Sequence, residues 1–300
     1  MVIDSTGDNT AVFLANLNAT QSRMVTLNNQ ITSGYRVSQA SDDPGAVQPI
    51  LSTQAEIARV TQVQTNLTGV QTEVQGADSA LETATNLLDN ALSLADASAS
   101  TTSSSTTMTA GAQQVSQILQ QMVGLANTNV NGRYVFGGDA SSTAPYAYDA
   151  SAPEGVEQLS TAASTRVIED ASGNQLNPLP TAQDIFDASG SSVFGALSSL
   201  EAALNSGDPT EVQSTIASIQ TAQAQVATQL ASIGNSETWL KNGLNDASSM
   251  LSNLQQQLGS LRDTDMPTAI SDLTLAQTSE TAALSAEGQM TQQSLFSYLG

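Results

Sequence analysis

The chain has 300 residues, with 7 Lys+Arg against 28 Asp+Glu, a net charge of −21, and neither Cys nor His. That composition excludes disulfides, thiol nucleophiles, imidazole bases and Cys/His zinc sites, and a charge of this sign repels phosphate backbones and anionic membrane surfaces. Aromatics at 4% and apolar residues at 39% leave little material for one large globular core, so most enzyme architectures fit poorly.

The opening Met1-Val2-Ile3-Asp4-Ser5-Thr6 has no basic region and no apolar stretch, so no cleaved secretory signal is expected. The apolar run 11–15 is far too short to span a bilayer, and no membrane insertion is expected. Helical periodicity then dominates, with a spacing nearer 3.5 than 3.6. Phe13, Leu17, Thr20, Met24, Leu27 and Ile31 step by 4 and 3. Val60, Val63, Leu67, Val70, Val74, Ala77, Leu81, Ala84, Leu88, Ala91 and Ala95 continue such steps. After the Ser/Thr-rich stretch 101–107, Val115, Leu119, Met122 and Ala126 form a third run. Val212, Ile216, Ile219, Gln223, Val226, Leu230 and Ile233 form a fourth. It passes without interruption into Leu240, Leu244, Ala247, Leu251, Leu254, Leu258 and Leu261. Sustained 3-4 spacing over such lengths predicts helices that pack side by side as coiled coils.

The breaks carry capping signals. In Asp42-Asp43-Pro44-Gly45 the proline suits a first helical turn, and Asp208-Pro209-Thr210-Glu211 reads as a cap, a first-turn proline and a capping-box acid. Asp263, Thr264, Asp265 and Pro267 mark the start of the last helix in the same way. Between 132 and 190 the helical pattern disappears. Pro145, Pro153, Pro178 and Pro180 accompany short β-like runs, Tyr134-Val135-Phe136 and Thr165-Arg166-Val167-Ile168, with a turn at Ser172-Gly173-Asn174. The fold class expected is mostly α: a bundle of long coiled-coil helices formed by the N- and C-terminal halves, with a small β-rich insertion. The division expected is terminal helices at 1–40 and 263–300, a helical bundle at 41–139 and 191–262, and the insertion at 140–190.

The two ends share one energetic problem. An isolated amphipathic helix such as 13–31 is marginal in water, and so is the segment from 267 to the C-terminus with Ile270, Leu273, Leu284, Leu295, Phe296 and Leu299. The expectation is that both ends stay disordered in the monomer, pair with each other, and are buried against neighbouring copies on assembly. The assembly-interface residues expected are Phe13, Leu17, Met24, Leu27, Ile31, Arg36, Ile270, Leu273, Leu284, Leu295, Phe296 and Leu299. Arg36, Arg133 and Arg262 are scarce cations in an acidic chain and are expected to meet Asp or Glu, with Arg36 placed at an interface between copies. Trp239 is expected to pack in the core. Asp42-Asp43 and Asp263/Asp265 are read as helix caps rather than acid–base or metal pairs, and no catalytic, metal or cofactor-binding residue is expected.

Ser33-Gly34-Tyr35-Arg36-Val37 followed by Ser41-Asp42-Asp43-Pro44, then Asn131-Gly132-Arg133-Tyr134-Val135-Phe136-Gly137-Gly138, and finally Ser294-Leu295-Phe296-Ser297-Tyr298-Leu299 resemble the bacterial flagellin family. The Ser-Asp-Asp-Pro sequence and the Asn131–Gly138 block are most similar to its hook-associated branch. The resemblance covers about 1–140 and 190–300. It implies a structural subunit of the flagellum that joins hook to filament, with filament flagellin as the alternative. It further implies export of the unfolded chain through the flagellar type III apparatus, self-association in a ring, contacts with hook-associated protein 1 and with flagellin, and binding of a flagellar export chaperone. It implies no nucleic acid partner. The stretch 81–97 lacks the Arg-rich pattern that innate receptors read in some flagellins. Readings outside the family are a coiled-coil scaffold, which has no need of amphipathic ends, and a secreted acidic hydrolase, which needs a convergent site.

Overall fold

In the computed structural model the described residues are 3–100 and 104–299, with side chains described for 10–100 and 104–289. The described helices are α1 (Ile3–Ser33), α2 (Pro44–Ser98), α3 (Ser105–Ala126), α4 (Ala182–Phe186), α5 (Val193–Ser206), α6 (Pro209–Arg262) and α7 (Met266–Leu299). The described strands are β1 (Asn129–Val130), β2 (Arg133–Tyr134), β3 (Tyr146–Tyr148), β4 (Val156–Gln158), β5 (Ile168–Glu169) and β6 (Gln175–Leu176). They form antiparallel pairs β1–β2, β3–β4 and β5–β6. The chain divides into two compact units, one of residues 1–59 with 251–300 and one of residues 60–250.

The unit 60–250 holds the main core. Along α2, Val60, Leu67, Val74, Leu81, Leu88 and Ala95 recur every seventh residue and are all buried. Along α6, Val212, Ile219, Val226, Ile233, Leu240 and Ala247 do the same, each with no exposed surface. A strict seven-residue row stays on one face only if the helix is wound to about 3.5 residues per turn, so this is coiled-coil packing. The helices run antiparallel here: Gln223 donates to Asp89 at 2.7 Å, and a Cβ on Gly243 would lie 3.5 Å from the Leu67 methyl. α3 packs against α5, and Gly111 lets Leu204 approach. Trp239 lies partly buried against this core.

Four of the scarce aromatics gather in one cluster within it. Phe186 stacks on Phe194 at 5.9 Å, meets Phe136 edge-on at 5.8 Å, and Phe194 meets Tyr146 edge-on at 4.9 Å. Few aromatics suffice when they are gathered in one place, because each removes a large apolar area from water.

Local chemistry sets the breaks. Asp43 Oδ1 accepts from the amides of Gly45 and Ala46 at the start of α2, and Asp208 Oδ1 accepts from Thr210 at the start of α6. Gly207 takes φ +75° after α5, a conformation open to glycine. Asn131 and Gly132, both at positive φ, turn β1 into β2. The strand pairs begin at Asn129, and of Tyr134-Val135-Phe136 only Tyr134 is strand, while Val135 and Phe136 are core residues. Inside the stretch read as non-helical stands α4, a single turn made by a capping box: the Thr181 hydroxyl accepts from the Asp184 amide, and the Asp184 carboxylate accepts from Thr181. One turn is too short to show periodicity.

Candidate assembly surfaces

Within the unit 1–59/251–300, α1 and α7 pack against each other. Arg23 bonds Asp272 at 2.9 Å, Gln21 donates to Glu280 at 2.9 Å, and Tyr35 bridges Asp263, so the two run antiparallel. The seam takes the sequence stripe from one side: Leu27 is buried, and Phe13, Leu17, Met24 and Ile31 are half-buried. From α7 it takes Ala269 and Ala276, both buried, and half-buried Leu273.

A two-helix pair cannot cover a helix all round. Val12, Leu14 and Val25 on α1 remain exposed, at 58%, 51% and 60%. On α7, Ile270, Leu275 and Leu284 remain exposed, at 50%, 63% and 51%. At 100° per residue, Leu14 and Val25 share one flank of α1 about 110° from the seam, with Val12 on the other flank. Of the residues expected at the assembly interface, then, the α1 stripe and Leu273 lie in the seam within the chain, while Ile270 and Leu284 face outward. Leu295, Phe296 and Leu299 lie outside the residues whose side chains are described. Val12, Leu14, Val25 and Leu275 did not stand out in the sequence. The available signal was the apolar run 11–15, which is wider than one stripe needs.

The α1–α2 connection and the α6–α7 connection form a joint. Arg36 and Val37 donate their amides to Arg262 O at 2.7 and 3.1 Å, and Thr264 donates to Gly34 O at 2.9 Å. The Arg36 side chain bonds Asp43 Oδ2 at 2.9 Å and donates through Nη2 to Leu261 O at 2.8 Å. Arg262 lies over the Tyr35 ring, 4.0 Å from its centroid, and bonds Asp263 at 3.0 Å. Beneath them Val37, Ala46 and Ile50 form a small cluster with Leu258 and Leu261. Arg36 therefore finds its acid within its own chain.

One acid of each pair caps a helix, Asp43 at the start of α2 and Asp265 at the start of α7, while Asp42 and Asp263 bond elsewhere. Asp42 Oδ2 accepts from the amides of Ser38 and Gln39, both at 2.9 Å, and the Gln39 and then the Ser38 amide hold its carboxyl below the usual carboxylate range. Asp43 is also held low, first by the hydrogen bond from Arg36. Asp265 caps α7 through Thr268. Asp263 bonds Arg262. Among the described residues there is no group of three or more side chains suited to hold a metal ion, and no helix long and apolar enough to cross a membrane.

Comparison with known proteins gives two family matches. Residues 5–141 match the bacterial flagellin N-terminal helical region, and residues 216–299 match the bacterial flagellin C-terminal helical region. No curated protein matches the sequence. Among solved structures, the fold is similar to that of a Vibrio parahaemolyticus protein assigned as a flagellar hook-associated protein, at 20% identity and a TM-score of 0.66, over 74% of this chain and 100% of the other. It is also similar to Xanthomonas campestris FlgL, at 17% identity and a TM-score of 0.50, over 68% and 99%.

Proposed function

Since the chain belongs to the bacterial flagellin family and is a structural subunit of the flagellum, we propose that it is a hook-associated protein seated where hook meets filament. The observation that carries an assembly role is the α1–α7 pair, whose seam is closed within the chain while Val12, Leu14, Val25, Ile270, Leu275 and Leu284 stay exposed. Apolar flanks of this extent on a slender pair find cover against like helices of other subunits. The junction position is supported by the Ser-Asp-Asp-Pro sequence at 41–44 and by the likeness to the Vibrio parahaemolyticus protein along its whole length.

In this reading the terminal helices pair first and then dock on neighbours, and Leu295, Phe296 and Leu299 extend the α7 contribution. The partners are further copies of the chain, hook-associated protein 1 below and flagellin above, with an export chaperone holding the C-terminal region beforehand. The chain crosses the envelope unfolded and has no catalytic role. Filament flagellin is the second reading, favoured by the description that both matching family regions carry. Immuno-electron microscopy of native flagella separates the two. A single band between hook and filament is expected, label along the whole filament means flagellin, and flagella without label overturn both.

A further inference from the structure

Six arginines are ion-paired, four of them each with a carboxylate of its own. The exceptions are Arg133 and Arg166, which share one carboxylate, Glu73 of α2. Arg166 Nη1 lies 3.0 Å from Glu73 Oε2 and 3.1 Å from Oε1, a full pairing. Arg133 Nε is 3.8 Å away, so its guanidinium, with five donors, is held near the acid by charge and is only loosely bonded. Glu73 is 14% exposed, and the two arginine side chains are 47% and 33% exposed. Together with Tyr134, Ser141 and Leu179 they line a cleft.

Both arginines are placed by tight backbone contacts. Val130, on the strand paired with Arg133, lies against Gly76, where a Cβ would come within 2.7 Å of its methyl. The β1–β2 hairpin is therefore pressed onto α2 one turn beyond Glu73. Gly138, at φ +54°, lies so near Ser164 O that a Cβ would sit 2.5 Å away, which fixes the chain two residues before Arg166. Such a site forfeits little freedom when it takes a ligand.

We propose that this cleft is a carboxylate-docking site, and that its occupant is an Asp or Glu side chain of a second copy of this chain. Two guanidiniums over one carboxylate leave one unit of positive charge, which a single carboxylate neutralises. Each copy carries 28 Asp and Glu and a net charge of −21, so the carboxylates of an adjoining copy are the anions most abundant beside the cleft, and a cationic seat offsets part of the repulsion between copies. The inference rests on the assembly reading above and locates one contact that reading leaves open.

The test uses the full-length protein in the flagella of its own cells, with a photo-crosslinking amino acid in place of Ser141. Illumination is expected to yield a crosslinked dimer of this chain. Arg133→Gln, which keeps the Glu73–Arg166 pair, is expected to lower that yield about fivefold, the scale of one exposed ion pair, with the purified monomer's thermal unfolding unchanged. Arg133→Lys restores part of it. A crosslink to a different protein, no crosslink, or an undiminished yield in Arg133→Gln overturns the proposal while the protein remains visible on flagella. Absence of the protein from flagella overturns the assembly reading itself, and this proposal with it.

Discussion

At the scale of the residue, the joint shows how few charges need to act when each is well placed. Arg36 ties Asp43 to Leu261 O, and Asp42 gathers two amides of the preceding turn. The capping acids were legible because an Asp beside a first-turn proline has a local meaning. The partner of Arg36 at position 261 was not, because no local rule links residues so far apart in sequence. Both carboxyls titrate below the ordinary carboxylate range. A depressed folded-state pKa contributes stability above the unfolded value, about pH 4, and loses it as pH falls through the lowered value. The amides of Gly45 and Ala46 are therefore expected to lose hydrogen-exchange protection on acidification below about pH 4. Asp43→Asn is expected to remove that pH step, because its amide does not titrate in this range. Equal acid sensitivity in both proteins would show that Asp43 is not the switch.

At the scale of the element, heptad spacing was readable wherever a helix had a partner. The every-seventh rows 60–95 of α2 and 212–247 of α6 are buried, while Val63, Ile216, Gln223, Leu230 and Leu244 among the alternate steps are half-buried. The same spacing on α1 marked a stripe, and the shared need of the two ends for cover led to the expectation that they pair, but periodicity did not mark which flanks of the pair stay exposed. Here the partner is α7, and the surfaces left over are the flanks. The two kinds of position should therefore separate experimentally. Leu27→Ala, in the seam, is expected to loosen the α1–α7 pair by about 2 kcal/mol, the low end for a buried leucine because a two-helix seam collapses easily. Faster hydrogen exchange along both helices measures it. Leu14→Asp, on the flank, is expected to leave that exchange unchanged and to lower incorporation into flagella about tenfold, as a charge does in an apolar contact. Normal incorporation of Leu14→Asp would remove the flank from the assembly surface.

At the scale of the whole molecule, a net charge of −21 opposes any contact between copies. The arginine ion pairs lie within the chain, and the Arg133–Arg166 cleft, with two guanidiniums on one carboxylate, is a local surplus of positive charge. Repulsion among many carboxylates outweighs one seat, so salt acts mainly by screening repulsion. Association of the purified protein, followed by sedimentation, is expected to strengthen when ionic strength rises from about 10 to about 150 mM, as the Debye length falls from about 30 to about 8 Å. Weakening over that range would mean that specific ion pairs dominate between copies.

The order of residues alone determined the helical class, the coiled-coil spacing and the caps that begin α2, α6 and α7, because each depends on side chains within a few residues of one another. It also carried the family, through short motifs at both ends. Only the tertiary structure decided which flanks of the α1–α7 pair stay exposed, that Arg36 is engaged at Leu261, that a single turn stands at Ala182–Phe186, and that Arg133 and Arg166 converge on Glu73. Most of these pairings join residues distant in the chain, and the lone turn is too short for any period. They exist only once the backbone has brought the parts together.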